Sequence, residues 1–443
     1  MLPEAFVERM RDMLQEESED FLKTFEQSRY QALRLNALKK NDKGDSAASA
    51  LVSGEGFAHL SPVSWAENGY YYEGGDQPGK HPYHEAGVYY IQEPSAMLPA
   101  ELLEVRPGDR VLDLCAAPGG KSTQIAAKLK GQGMLISNEI HPARAKILSE
   151  NIERMGIRNA IVTNESPAKL TGVFCEYFDK IMVDAPCSGE GMFRKNEAAC
   201  EEWSPENVSL CAARQDEILD CAAKMLRPGG RMVYSTCTFA VEEDEGSIER
   251  FLQRHTDFEL LGQHRIWPHK TKGEGHFAAA LRRKGELSEY RPAAANGLAR
   301  TIPEKELGEY LTFRKETIKQ AAFLTDKPGY LRFGDNLYLV PGDMPELKGL
   351  KVLRPGLHLG ELKKNRFEPS HALALALAPQ EVLRVVNLSS TEPTVMSYLN
   401  GQTFAAEGEK GWYLICVDGF SLGWGKLAGG MMKNHYPKGL RVN

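Results

Sequence analysis

The chain runs to 443 residues, more than one ordinary domain, so two or three domains are expected. Apolar residues at 42% and charged residues at 26% suit a folded globular protein, and the absence of a long apolar run or signal-peptide core excludes a membrane span and implies a cytoplasmic location. A net charge of −6 argues against a nucleic-acid partner only as an average, because binding depends on local patches.

In chain order, Phe6, Met10 and Met13 recur at helical spacing, and Phe21, Leu22 and Phe25 repeat the pattern. Residues 31–36 read as a short strand carrying Arg34. Stretches 41–56 and 66–82 are rich in turn formers. From about 85 to 283 apolar strands alternate with amphipathic helices. The strand candidates are Val111–Leu114, Met134–Asn138, Ala160–Thr163, Lys180–Val183 and Arg231–Ser235, with helices at 121–130, 141–155 and 207–226. That alternation implies an α/β fold, a mostly parallel sheet covered on both faces. Trp267–Arg283 suggests two short strands about a turn at Lys272–Gly275, an antiparallel edge. Residues 284–305 read as a linker, and 306–443 as a β-rich domain, with strands at 329–334 and 411–417. The expected organisation is therefore 1–84, 85–283, 284–305 and 306–443.

Basic residues cluster in two places: Lys348, Lys351, Arg354, Lys363, Lys364 and Arg366, and Lys426, Lys433, Lys438 and Arg441. Charge patterning alone fits ordinary solvated surface as well as phosphate contacts; if a nucleic acid binds, these patches and Arg34 are the expected contacts. Eight cysteines lie at 115, 175, 187, 200, 211, 221, 237 and 416, and none form CxxC pairs. Neither a zinc site nor a disulfide framework is expected, and the thiols are free for chemistry.

Four segments carry that chemistry. Val111–Leu114 leads through Cys115-Ala116-Ala117-Pro118-Gly119-Gly120-Lys121 into a helix, which puts backbone N–H groups and a helix N-terminus where open α/β sheets bind ligands. Glu139 ends the next strand about 20 residues on, where an acid commonly holds ribose hydroxyls. Spacing alone does not choose between NAD and S-adenosylmethionine, although the loop lacks GxGxxG. Asp184-Ala185-Pro186-Cys187-Ser188-Gly189 follows a third strand, and Ser235-Thr236-Cys237-Thr238 ends a fourth. Two thiols emerging from neighbouring strand ends suit addition to carbon 6 of cytosine, which makes carbon 5 able to attack a methyl sulfonium. Asp184 and Lys121 are the titratable groups available for charge compensation and proton removal. The chemistry leaves open which thiol attacks.

Taken together, the motifs 115–121, 184–189 and 235–238 resemble the nucleolar-protein/Sun family of RNA 5-methylcytosine methyltransferases, over about 85–283. The run Gly273-Glu274-Gly275-His276-Phe277 is similar to that family's final core strands. The whole chain resembles the bacterial branch that modifies small-subunit ribosomal RNA and carries a PUA-like C-terminal domain. The resemblance implies a Rossmann-like class I core with a seven-stranded sheet, a small N-terminal α/β domain and S-adenosyl-L-methionine as cofactor. It assigns Cys237 as nucleophile and Cys187 as the thiol assisting release. It also implies Cys115 to Lys121 as the cofactor loop, Glu139 as the ribose acid and Asp184 beside cofactor and base. Where many members carry Asp after the third strand, this chain reads Asn164-Glu165-Ser166, which puts Ser166 at the adenine side with Asn164 helping. Ribosomal RNA, free or within the small subunit, is the expected partner of a metal-free monomer. Transfer RNA methylation and a non-catalytic role in ribosome assembly are the alternatives. An amino-group methyltransferase would show an aromatic after the fourth-strand prolines, where this chain has Cys187. A DNA methyltransferase would leave Cys237 idle.

Overall fold

The computed structural model describes residues 2–47, 51, 59–73, 75–288, 293–326 and 329–441. Stretches 48–50 and 52–56 of the expected loop, and 289–292 of the expected linker, lie outside the described residues. The N-terminal helices Glu4–Leu14 and Ser18–Lys23 bury Phe6, Met10 and Phe21, as the helical spacing predicts. These side chains pack against Phe193, Trp203 and Phe239 of the central region. A four-stranded antiparallel sheet follows: β1 (Ala32–Leu35), β2 (Ser61–Pro62), β3 (Gly69–Tyr71) and β4 (Tyr89–Ile91), in the order β2-β3-β1-β4. β4 lies beyond residue 84, so the N-terminal sheet draws its last strand from the segment that the sequence places in the central domain.

The central sheet holds β5 (Arg110–Asp113), β6 (Met134–Asn138), β7 (Ala160–Thr163), β8 (Phe178–Asp184), β9 (Leu226–Thr236), β10 (Phe258–Ile266) and β11 (His276–Arg283). β5 to β9 run parallel because their apolar residues bury on both faces beneath helices such as Gly120–Leu129, Pro142–Arg154 and Pro205–Met225. The edge hairpin is real but displaced. Its first strand is β10, and Trp267–Gly275 is the connection rather than a strand. β10 is mostly solvent-exposed and polar, so its apolar signal is weak.

The C-terminal region contributes β12 (Gly329–Phe333), β13 (Asn336–Val340), β14 (Val352–Arg354), β15 (Leu357–Lys363) and β16 (Arg366–Pro369), then β17 (Val385–Leu388), β18 (Phe404–Ala405), β19 (Gly411–Val417), β20 (Phe420–Ala428) and β21 (Met431–Asn434). β12, β13, β15 and β16 form one sheet, and β17 to β21 form a five-stranded one. β14 instead leaves its neighbours and pairs antiparallel with β7, giving the central sheet the order β10-β11-β9-β8-β5-β6-β7-β14. The expected seven strands thus become eight, because β7 would otherwise present an unpaired edge. This overturns part of one basic patch. Arg354 is 6% exposed and forms an ion pair with Glu153, so it fastens the two regions together instead of meeting phosphate.

The two ends of the chain also interlock. Lys39 Nζ donates to the Leu375 carbonyl at 2.6 Å and to Ser421 Oγ at 3.1 Å. Tyr83 donates to Asp418 at 2.9 Å, and Tyr436 donates to Glu85 at 3.0 Å. Leu33 and Leu35 share a core with Tyr413, Ile415 and Phe420. Among the described residues no helix is long and apolar enough to cross a membrane.

Candidate active site

A cavity of about 960 Å³ opens at the carboxyl ends of β5, β6, β8 and β9. Cys115, Ala116, Ala117, Pro118, Gly120, Lys121, Glu139, Ser166, Asp184, Cys187 and Cys237 all line it. Gly119 sits behind the wall, where φ of +116° starts the helix and an added Cβ would meet Leu148 at 3.2 Å.

The loop after β5 is held from several sides. The Ala116 N–H donates to the Asn138 carbonyl at 2.8 Å, Arg144 donates to the Ala117 carbonyl at 2.8 Å, and Asn151 donates to the Pro118 carbonyl at 2.9 Å. Arg34 completes the support and corrects the sequence reading. It is 2% exposed and donates to Gln92 Oε1 (3.2 Å), the Gly120 carbonyl (3.2 Å) and Thr123 Oγ1 (2.7 Å). It braces the loop after β5 from behind and faces no solvent, because β1 is buried along its whole length.

Glu139 is 3% exposed at the cavity wall, with Oε1 accepting from the His141 N–H at 2.9 Å and Oε2 lying 3.5 Å from Arg144. Of the Asn164-Glu165-Ser166 run, only Ser166 lines the cavity. The Asn164 amide is spent on the carbonyls of Glu139 (2.7 Å) and Ile140 (2.9 Å), so its expected help at the adenine side is not seen. Asp113 is buried, with Oδ2 accepting from Ser122 at 2.7 Å and Oδ1 without a hydrogen-bond partner; burial pushes its carboxyl up to about 7. A cationic ligand beside Asp113 would favour the ionised form that burial resists and so complement this unpartnered oxygen, and the buried Glu139 carboxylate suits hydroxyl donors. The residues therefore fit an S-adenosylmethionine-type nucleoside sulfonium.

At the other end of the cavity, Lys121 Nζ lies 2.8 Å from Asp184 Oδ2, and Ser235 donates to Asp184 Oδ1 at 2.8 Å. Burial pushes the Asp184 carboxyl up, but the charge of Lys121 and the hydrogen bonds from Lys121 and Ser235 outweigh it and hold the group below its usual range. The sulfurs of Cys187 and Cys237 are 3.4 Å apart. The hydrogen bond to Cys237, then burial, pushes the Cys187 thiol well up.

Polar contacts set this pair. The Gly191 N–H donates to the Cys237 carbonyl at 2.8 Å, and the Ser188 N–H donates to the buried Glu243 carboxylate at 3.0 Å. Buried Glu190 accepts from the Phe239 N–H and the Trp203 indole, both at 2.9 Å. Glu190, Glu243 and His276 were not among the residues selected from sequence. Glu190 and His276 lie in the motif runs 184–191 and 273–277, whereas Glu243 carries no sequence signal beyond being acidic.

Family models match nearly the whole chain: N-terminal domain of 16S rRNA methyltransferase RsmF over 2–94, 16S rRNA methyltransferase RsmB/F over 100–282, RsmF rRNA methyltransferase first C-terminal domain over 312–377, and methyltransferase RsmF PUA domain over 385–442. The chain is 32% identical to ribosomal RNA small subunit methyltransferase F of Vibrio vulnificus, across 99% of this chain and 97% of that one. It is 33% identical to the same-named protein of Klebsiella pneumoniae, across 99% and 96%. Among solved structures it resembles a methyltransferase homolog protein from Pyrococcus horikoshii (26% identity, TM-score 0.56, covering 63% of this chain and 95% of that one). It also resembles NSun6 from the same organism (22%, TM-score 0.55, 64% and 99%), a likeness of fold.

Proposed function

Because the chain belongs to the RsmB/F family of 16S rRNA methyltransferases, we propose that it methylates carbon 5 of a cytosine in 16S ribosomal RNA through a covalent bond from Cys237 to carbon 6. The observation that carries this reading is the pair of thiols 3.4 Å apart, in one cavity with the Lys121–Asp184 ion pair and the loop after β5. S-adenosylmethionine supplies the electrophilic methyl group when bound. Residues 115–121 would hold it, with Glu139 accepting from ribose hydroxyls and Ser166 on the adenine side.

The target cytosine must leave its stack to reach this depth. Cys237 adds to carbon 6, and the electron pair displaced from the carbon 5–carbon 6 bond makes carbon 5 the nucleophile. Asp184, held ionised, accepts from the cytosine amino group, while Lys121 brings positive charge to the edge where the adduct becomes anionic. After transfer, the carbon 5 proton passes to Asp184 and the returning electron pair expels the Cys237 thiolate. Cys187 keeps its proton and donates to that departing sulfur. The RNA backbone would run over Lys426 and Lys433, cross-strand neighbours on β20 and β21, and over Lys438.

Two variants test the reading. Cys237→Ala should lose methyl transfer, whereas Cys187→Ala should methylate and then accumulate as a covalent RNA complex that survives denaturing electrophoresis. A trapped band with Cys237→Ala and none with Cys187→Ala would reverse the assignment. Bisulfite sequencing of ribosomal and transfer RNA from a strain lacking the gene decides the substrate.

A further inference from the structure

His276 opens β11 and stands in the cavity wall. The antiparallel register pairs Phe277 with Thr236, which brings His276 alongside Cys237. The backbones converge here. A Cβ on Gly191 would lie 2.9 Å from the Cys237 carbonyl oxygen and 3.2 Å from that of Gly275. The ring is 4% exposed, and its Nε2 has no hydrogen-bond partner. The nearest candidate, Asp184 Oδ1, lies 3.8 Å away, too far for a hydrogen bond, and that oxygen already accepts from Ser235.

A buried polar atom left unpaired costs about 1–3 kcal/mol, so a nitrogen kept this way beside a ligand cavity points to a ligand atom. The charge state of the ring is also settled. Burial, and then the nearby Lys121, press its pKa down to about 3 despite the attraction of Asp184, so it is a neutral imidazole at physiological pH. Such a ring donates one N–H without bringing a second cation next to Lys121.

We propose that His276 is a catalytic residue that donates its ring N–H to the O2 carbonyl of the target cytosine, where negative charge collects as Cys237 adds to carbon 6. The inference rests on the cytosine-5 reading of the cavity. In that step the thiolate pair forms the sulfur–carbon 6 bond, the pair of the carbon 5–carbon 6 double bond moves between carbons 5 and 4, and the carbon 4–N3 pair moves onto N3. N3 shares that charge with O2 through the adjoining carbonyl. A fixed donor at O2 then contributes more to the adduct than to the resting base, which is how an oxyanion hole lowers a barrier. A neutral imidazole suits the task because its N–H is already aligned and no proton has to be lost.

The test compares His276→Phe, which keeps a ring without the donor, with His276→Gln, which restores a neutral donor. Methyl transfer from labelled S-adenosylmethionine to a 16S RNA fragment gives kcat and KM, calorimetry gives cofactor affinity, and thermal unfolding checks the fold. H276F should lose about 10²–10³-fold in kcat, the range for removing one such donor. H276Q should recover at least about tenfold of that loss, with cofactor affinity within about twofold of wild type in both. The pH–rate profiles of wild type and H276Q should agree in shape from about pH 5.5 to 9, because the ring does not titrate there. A kcat for H276F within about threefold of wild type, an H276Q variant as slow as H276F, or a loss lodged in cofactor affinity would each overturn the proposal. Cys237→Ala, run in parallel, separates the two levels. If it is inactive while H276F is normal, only the role of His276 falls; if it remains active, the cytosine-5 reading falls first.

Discussion

Replacing Arg34 with Met tests the most consequential difference between sequence and structure. Burial presses the guanidinium from 12.5 to about 10, which at about 1.4 kcal/mol per pH unit is a penalty of about 3 kcal/mol. Against it stand three hydrogen bonds, to Gln92, Gly120 and Thr123, each contributing roughly 1.5–3 kcal/mol from a charged donor. The balance leaves Arg34 stabilising the fold by roughly 1.5–6 kcal/mol, and Met, similar in length and apolar, forfeits that without opening a cavity. The loss should reach the cofactor, because the Gly120 carbonyl belongs to the loop that cradles it. We expect a weakening of about tenfold, or 1.4 kcal/mol. Urea unfolding followed by tryptophan fluorescence gives the stability, and calorimetry the cofactor affinity. The slope of RNA affinity against salt should not change, since a buried guanidinium releases no counterion. A variant of wild-type stability whose salt slope is shallower by about one charge would refute the argument and return Arg34 to the RNA surface.

Two further outcomes follow from the same geometry. Gly191→Ala forces its Cβ against the carbonyls of Cys237 and Gly275, so the two thiol loops must part; methyl transfer should fall at least about tenfold while the melting temperature drops only modestly, and full activity would count against tight apposition of the loops. Asp113, raised to about 7 from an unfolded value of 3.8, keeps between roughly pH 4 and 7 a proton that the unfolded chain has already released. Wild-type stability should therefore fall as pH rises through that window, by up to about 1.4 kcal/mol per pH unit from this group, and Asp113→Asn should remove that component and be the more stable protein at pH 8. Equal pH slopes of the two urea midpoints would contradict it.

What could be read from the sequence was what local chemistry dictates. The strands ending at Asp113, Asn138 and Asp184 announced themselves by apolar runs that stop at glycine or proline turns, and the residues just past them line one cavity. What could not be read was whatever depends on depth. Arg34 sits in an alternating segment like many surface arginines, and only the packing of β1 between β3 and β4 turns it inward. β14 carries the residues of an ordinary short strand, and nothing local directs it to β7 rather than to its sequence neighbours. β10 is hard to see in the sequence because Glu259, Gln263, His264 and Arg265 break its apolar pattern. Glu190 and Glu243 gain meaning from partners that include Arg9, Ser188 and Phe239, roughly 50 to 180 residues away, and His276 from the lack of a partner for its Nε2.

The interlock between the ends of the chain has a consequence for the order in which this protein can be made. β1, which carries Arg34, rests on a core completed by Tyr413, Ile415 and Phe420, and Glu85 and Lys39 find their partners at Tyr436 and Ser421. These contacts span more than 330 residues, a separation that slows folding because the intervening chain must be closed before they form. At a synthesis rate of about 5–20 residues per second, the N-terminal sheet waits tens of seconds for the surface that finishes it. The doubly wound core can assemble in the meantime, but the Arg34 brace behind the loop after β5 is secured last. A nascent chain thus gains the last support of that loop only after its final β-strands have left the ribosome.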